Sequence, residues 1–307
     1  MMQVSVVIPT VRPAHLGDTI ASICKQTWRE WELIVVAQGN DPEMRAFIDR
    51  GHPDPRVRFL HLSKSGLSLA RNAGIEAAAH PIILFTDDDC EAREDWVEVV
   101  AGCFADNPDV GLVSGTVLAP PLRRLRIANC PSVLPGEVTY YPSRDNYAHS
   151  PNWGWIGANF AVRRDVYARV GPFDTHLGPG ARFPVADDID FGMRLERADI
   201  AMLATPRSVI HHTWGTRYGL RSTLKTSASY ARGNGALAGK LTLMGDPRGA
   251  EWLEITRRSL LTDTIGRFRL HRLPASLRRV RIFQQAYREC IREFCVDGAG
   301  LLRLRSA

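Results

Sequence analysis

Ile82-Ile83-Leu84-Phe85-Thr86-Asp87-Asp88-Asp89 carries a short apolar run straight into three adjacent carboxylates. The apolar four read as a buried strand, and ligand sites in open α/β sheets lie beyond the carboxyl ends of strands. Three neighbouring carboxylates repel one another, so the cluster costs stability unless a cation neutralises it. Alternate residues of an extended turn point the same way. Asp87 and Asp89 can therefore share a face, one near a ribose or sugar hydroxyl and one on a metal. Hard oxygen ligands suit Mg2+ or Mn2+, which also bind diphosphate oxygens. The competing reading is a solvated acidic turn that caps the helix near Asp95.

Outward from this stretch, apolar runs alternate with amphipathic segments. Val4–Ile8, Leu33–Ala37, Val57–His61 and Val110–Val117 read as further strands. Ala14–Gln26, Pro42–Arg50, Gly66–Ala79 (with Ser65 as N-cap) and Asp95–Asn107 read as helices. This rhythm predicts an α/β fold, a mostly parallel, Rossmann-like sheet with helices on both faces. Between Ala119 and Pro151 six prolines predict a long excursion. Gly157–Arg163 resumes regular structure, followed by a helix near Arg164–Val170 and a Gly/Pro-rich loop, Gly171–Pro184. A helix begins near Asp187, Ile200–Ala204 and Ser208–His212 read as two short strands, and from Leu220 onward the pattern is helical. The expected division is a catalytic domain over 1–215 and a helical C-terminal region over 216–307.

Of the 307 residues 45% are apolar, enough for a sizeable core. The net charge of +6 conceals an asymmetry: residues 1–215 hold 21 Lys+Arg against 26 Asp+Glu, and residues 216–307 hold 18 against 7. The basic tail predicts an anionic neighbour. The start, Met1-Met2-Gln3-Val4, has no basic, apolar or cleavage pattern of a signal peptide, and no run approaches the roughly 20 apolar residues of a spanning helix. The expectation is a cytoplasmic protein. None of the six cysteines stands in a CxxC pair, so they read as reduced packing residues.

Three further groups bear on chemistry. Asp187-Asp188-Ile189-Asp190 opens a helix after a loop; it suits either the helix dipole or a general base for an acceptor hydroxyl. His211-His212 ends a strand and offers metal ligands. The loop after the first strand, Pro9-Thr10-Val11-Arg12-Pro13, holds no glycine, so the dinucleotide fingerprint and the Walker A loop are both absent. Arg12 and Arg71 are available to phosphates. Trp153 and Trp155 suit either stacking on sugar faces or packing of their own loop.

Val6-Val7-Ile8-Pro9-Thr10, Gly66-Leu67-Ser68-Leu69-Ala70-Arg71-Asn72-Ala73-Gly74 and Ile83-Leu84-Phe85-Thr86-Asp87-Asp88-Asp89 resemble family 2 glycosyltransferases of the GT-A fold. The resemblance continues through Gly157-Ala158-Asn159-Phe160, Val170-Gly171-Pro172-Phe173-Asp174 and Asp187-Asp188-Ile189-Asp190-Phe191, covering roughly residues 3–215 in order. It implies an inverting, metal-dependent transfer from a nucleotide-diphosphate sugar to a glycan or lipid-linked acceptor. It assigns Pro9, Thr10 and Arg12 to the nucleotide pocket, Arg71 to the donor phosphates, and Asp87-Asp88-Asp89 to the DxD motif. Asp89 becomes the metal ligand with His212, or alternatively His211. Asp188 becomes the base, and Asp187, Asn159 and the two tryptophans the acceptor or sugar side.

Departures from the family pattern fall at Val11, where a base-stacking aromatic is common, and at Val36-Ala37-Gln38-Gly39-Asn40-Asp41, where relatives carry two aspartates, one of them contacting the base; here Gln38 can hydrogen-bond a base edge through its amide, and Asn40 joins it among the nucleotide-binding candidates. Two rivals remain: a nucleotidyltransferase on a similar sheet, and a nucleic-acid-binding protein using the basic tail. The aromatics of the tail do not interleave with its arginines, so no nucleic-acid partner is expected. Ser276–Cys295 is instead an amphipathic helix with an arginine-rich face. It suits packing on the catalytic domain or contact with an anionic membrane.

Overall fold

The computed structural model describes residues 2–121, 128–145, 155–260 and 273–305. The chain forms two compact units: Met1–Pro172 with Gly192–Gly219, and Phe173–Phe191 with Leu220–Ala307. The second unit thus takes in Phe173–Phe191, which a division at residue 215 leaves in the first.

In the first half of the chain β1 (Val4–Thr10), α1 (Leu16–Cys24), β2 (Trp31–Gln38), α2 (Pro42–Asp49), β3 (Val57–Leu62), α3 (Leu67–Ala77) and β4 (Ile82–Phe85) alternate in order. They are followed by β5 (Glu91–Ala92), α4 (Trp96–Asp106), β6 (Val110–Leu118), β7 (Ala128–Asn129), β8 (Val138–Tyr140), α5 (Pro142–Asp145), β9 (Phe160–Arg163) and α6 (Arg164–Val170). Next come α7 (Asp187–Arg197), β10 (Ala201–His211) and β11 (Arg217–Tyr218). The main sheet has the order β3-β2-β1-β4-β9-β6-β10-β5, with β8 also on β10. Its longest ladders, β1–β2, β2–β3 and β6–β10, are parallel, whereas β9 runs antiparallel between β4 and β6. β1 has β2 on one side and β4 on the other, both parallel, so the winding reverses there and opens a crevice at the carboxyl ends.

β1, β2 and β4 are readable because they are buried on both faces and so appear as continuous apolar runs, whereas the edge strand β3 exposes Arg58 and His61. Val4, Val6 and Ile8 join Leu16 and Ile20 of α1 and Trp96 of α4 in one core, while α3 packs against β1 and β2. Three expectations need correction. The two short strands near 200–212 are one strand, β10, interrupted by a register shift between Thr205 and Val209 that accommodates Pro206. Ser65 does not cap α3: Gly66 is the N-cap, with no side-chain cap bond. The tail is not wholly helical, since it ends in a hairpin.

In the second unit α8 (Leu220–Leu243), α9 (Arg248–Leu260) and α10 (Leu273–Glu293) precede β12 (Phe294–Val296) and β13 (Leu302–Leu304), which pair antiparallel. Gly235 and Gly239 of α8 bring that helix close to α10: a Cβ at Gly239 would stand 2.9 Å from Cys290 Cβ, and one at Gly235 3.0 Å from Phe283 Cα. The apolar stripe of α10, with Val280, Phe283, Ala286 and Cys290, is buried, and Arg278, Arg279, Arg281, Arg288 and Arg292 are exposed. Among the described residues no helix is long and apolar enough to cross a membrane.

Candidate active site

The parallel register of β1 with β4 (Val7 opposite Phe85) brings Thr10 and Asp87-Asp88-Asp89 to the same edge of the sheet. Thr10 Oγ1 donates to Asp88 Oδ2 at 2.6 Å and accepts from the Arg12 amide at 3.2 Å. Thr19 of α1 donates to the Asp88 carbonyl at 3.1 Å. The end of β10 delivers His212, whose N–H bonds the carbonyl of Leu118 at 2.8 Å. His212 Nε2 lies 3.1 Å from Asp89 Oδ1, and Arg12 stands 3.6 Å from Asp89 Oδ2. It is His212, not His211, that reaches the carboxylate; His211 is exposed and pairs with Glu91 across β5.

The chemical form of His212 follows from its other nitrogen. Nδ1 lies 3.1 Å from the carbonyl of Pro131, which can only accept, so Nδ1 carries a proton. Nε2 is then either a lone pair or the second N–H of an imidazolium. Burial works against the charged ring, but the Asp89 carboxylate outweighs it and raises the His212 value. Burial would raise Asp89 too; its bond to His212 and the Arg12 charge hold it below the usual range instead. Asp87 behaves differently: burial, reinforced by Asp89 and Asp88, pushes it up to about 7 against the pull of Arg71. Burial also raises Asp88, against its Thr10 bond.

Asp89, Cys90 and His212 offer ligand atoms within 4.8 Å of one another. Burial and the adjacent Asp87 and Asp89 carboxylates push the Cys90 thiol well above its ordinary value, so it stays protonated and is a poor ligand. What remains is one carboxylate and one imidazole, with the Asp87 and Asp88 carboxyls beside them. That donor set suits Mg2+ or Mn2+ completed by phosphate oxygens and water, and does not suit a closed structural zinc site.

Several predicted contact residues are engaged elsewhere. Gln38 is buried: its Oε1 accepts from the Gly66 amide at 2.7 Å and its Nε2 donates to the Thr10 carbonyl at 3.3 Å. It laces the loops together. Arg71 is 2% exposed, donates to the Gly157 carbonyl at 2.7 Å and approaches Asp87 to 3.9 Å, so it supports the acidic cluster from beneath. Asn159 accepts from Trp96 Nε1 and Ser208 Oγ and donates to the carbonyls of Thr116 and Ser208; all four of its hydrogen-bonding positions are used and none is left for a sugar. Trp155 is buried edge-on against Phe160, the packing alternative. Trp153 lies outside the described residues. Pro9 is buried in the β1 ladder opposite Val36, and Asn40 is exposed after β2.

In the second unit, α7 begins after Ala186, whose φ is 77°. Asp187 is buried against Gly178, whereas Asp188 is half-buried and accepts from the Ile189 amide at 2.9 Å.

Sequence reasoning passed over two residues beside Asp89 and His212. Trp214, exposed, stacks on His15 at 4.3 Å and donates its backbone N–H to the Asp89 carbonyl. Gly215 lies against the His212 ring, where a Cβ would come within 2.6 Å of Cε1 and closer still to Nε2 and Cδ2. The spacing His-x-x-Gly is the one signal that could have drawn attention to it.

A family model described as Glycosyl transferase family 2 matches residues 5–171, more than half of the chain. Over 185 residues the chain is 30% identical to the glucosyl-dolichyl phosphate glucuronosyltransferase of Haloferax volcanii, covering 58% of each. It is 26% identical over 239 residues to the validoxylamine A glucosyltransferase of Streptomyces hygroscopicus subsp. jinggangensis, covering 69% of this chain and 54% of that one. The chain therefore spans little more than half the length of these curated relatives. The mannosyltransferase PcManGT from Pyrobaculum calidifontis, solved in complex with GDP-Man and Mn2+, matches with a TM-score of 0.59 at 17% identity, covering 94% of this chain and 86% of that one. At that identity the likeness speaks to the fold, which is GT-A-like. With the ordered motifs, the sheet and the family model in agreement, the chain belongs to glycosyl transferase family 2.

Proposed function

We propose that this chain is a metal-dependent inverting glycosyltransferase that moves a sugar from a nucleotide diphosphate onto an acceptor hydroxyl. The observation that carries the reading is the meeting of Asp87-Asp88-Asp89 with His212 at the carboxyl edge of the sheet. Two relatives support the substrate classes. One is named for a glucosyl-dolichyl phosphate, and one was solved with GDP-Man and Mn2+. For this chain we take a nucleotide-diphosphate sugar as donor and a glycan or lipid-linked glycan as acceptor.

In this reading residues 1–215 are catalytic and 216–307 form a basic helical region. Asp89 and His212 would hold Mg2+ or Mn2+, which would supply positive charge for the departing diphosphate. Thr10, Arg12, Asp87 and Asp88 border the nucleotide. Asp188 takes the proton of the acceptor hydroxyl as that oxygen attacks the anomeric carbon from the side opposite the diphosphate, so the configuration inverts. The exposed arginines of α10 support a further contact, with anionic lipid at the cytoplasmic face. Because the apolar stripe of that helix is covered by its own unit, the contact is electrostatic and does not embed the helix.

The test is release of nucleoside diphosphate from a panel of UDP-, GDP- and dTDP-sugars with Mn2+, Mg2+ or chelator. Native chain should release it only with a divalent cation, Asp89→Ala should lose both activity and cation-dependent nucleotide binding, and Asp188→Asn should bind donor yet lose turnover by about 100-fold or more. Release of pyrophosphate in place of nucleoside diphosphate would move the assignment to nucleotidyl transfer.

A further inference from the structure

Lys240 sits in α8 with no exposed surface, in the basic region where a lysine ordinarily reads as solvated charge. Its Nζ lies 2.7 Å from Asp174 Oδ2 and 2.5 Å from Asp190 Oδ1, and both carboxylates are buried as well. Asp174 Oδ2 also accepts the Leu302 amide at 2.8 Å, and its Oδ1 accepts the His176 amide at 3.0 Å. Lys240 and Asp174 together therefore tie the 173–176 segment, the first turn of α7, the last turn of α8 and the strand β13. Burial works to raise the Asp174 carboxyl; the Lys240 charge and the two amides outweigh it and hold it below its ordinary value.

Stability alone does not call for such an arrangement. Well-packed apolar side chains of similar volume commonly match or exceed a buried ion cluster. Position is the better reason. Asp187 and Asp190 stand three residues apart and share one face of α7. Both are buried, Asp187 against Gly178 and Asp190 on Lys240, while Asp188, about 100° further round the helix, stays half-buried. The two inward carboxylates set the rotational phase of the turn, and that phase sets where Asp188 points.

We propose that Lys240 is a positioning residue for the acceptor base: by gripping Asp190 it locks the first turn of α7 and so aims Asp188 at the acceptor hydroxyl. The proposal rests on the reading of Asp188 as the base.

Two measurements test it. The first is turnover of whichever UDP-, GDP- or dTDP-hexose the native chain hydrolyses with Mn2+, in Lys240→Met, Asp190→Asn and the double variant. Each single variant should lose about 100-fold in kcat, the scale of an ångström of misplacement. Nucleoside diphosphate affinity should stay within about twofold, and the double variant should be no slower than either single one. The second is amide exchange of residues 189–191, which needs no substrate and should accelerate about tenfold or more in Lys240→Met. If Lys240→Met does not fold, Asp190→Asn, which keeps the Lys240–Asp174 pair, reads the same contact. Native kcat and unchanged exchange in either folded variant would overturn the clamp. Asp188→Asn is run alongside: if it is inactive while the clamp variants are not, only the clamp is wrong; if it turns over normally, the base assignment fails and takes the clamp with it.

Discussion

Gly215→Ala is the smallest change that reaches the proposed metal ligands, Asp89 and His212, without altering either. The added Cβ would stand 2.6 Å from His212 Cε1 and nearer to Nε2 and Cδ2, where carbon atoms need about 3.5–4.0 Å. To clear Nε2 and Cδ2, the two nearest atoms, the ring must retreat by about 1.3–1.4 Å, which displaces Nε2 from its 3.1 Å approach to Asp89. Ligand distances at a metal tolerate only about 0.2 Å, so the imidazole is lost to the cation or held badly. The expected cost is about 10- to 100-fold in Mn2+ affinity, or about 1.4–2.7 kcal/mol, with turnover falling at least as far. Calorimetric titration of Mn2+ in the presence of UDP or GDP measures the first, nucleoside diphosphate release the second. Gly102→Ala is the control. It lies in α4 with nothing within 4 Å of a new Cβ, so it should leave both readouts unchanged and raise stability by about 0.5–1 kcal/mol. Native Mn2+ affinity in a folded Gly215→Ala variant would refute the assignment of His212 to the metal.

Gln38→Ala removes two buried hydrogen bonds and should cost about 1–3 kcal/mol in denaturant unfolding while leaving the preference among nucleotide bases unchanged; an altered base preference at unchanged stability would return Gln38 to the pocket. The depressed Asp174 carboxyl gives a signed pH effect: its stabilisation is complete above its unfolded value of about 3.9 and is lost as pH falls through the lower folded value. Melting temperatures below about pH 4 should therefore fall less steeply in Asp174→Asn, already weaker at pH 7, than in the native chain; parallel curves would contradict this. Flotation with anionic liposomes should be salt-sensitive and should disappear when Arg278, Arg279, Arg281, Arg288 and Arg292 become glutamine, and failure to float at any anionic fraction would remove the membrane contact.

The parallel half of the fold was legible because a strand buried on both faces leaves an unbroken apolar run. Phe294-Cys295-Val296 is too short to show any period, so the terminal hairpin was not. Pro206 interrupts the apolar pattern of β10, and only the ladder with β6 shows that the strand continues through it. Asp87-Asp88-Asp89 could be found from local order, but the approach of His212 depends on β10 arriving at the same edge from more than a hundred residues away. Three of the polar residues picked out for the site, Gln38, Arg71 and Asn159, are held by internal hydrogen bonds that the sequence does not show. A sequence shows that a side chain can form hydrogen bonds, not whether backbone groups of its own fold have already taken them.

The group that fixes the protonated nitrogen of His212 is a main-chain carbonyl, that of Pro131, in a segment pinned by the paired hydrogen bonds of Val117 and Val133. No side-chain substitution at position 131 deletes a carbonyl. The electronic form of this ligand is therefore insulated from point mutation there, and genetic drift in the loop can change its surface while the imidazole keeps presenting the same nitrogen. Altering that form takes a change in backbone path, such as an insertion between residues 118 and 133. Length variation in this loop, more than residue identity, is where the chemistry of the site is vulnerable.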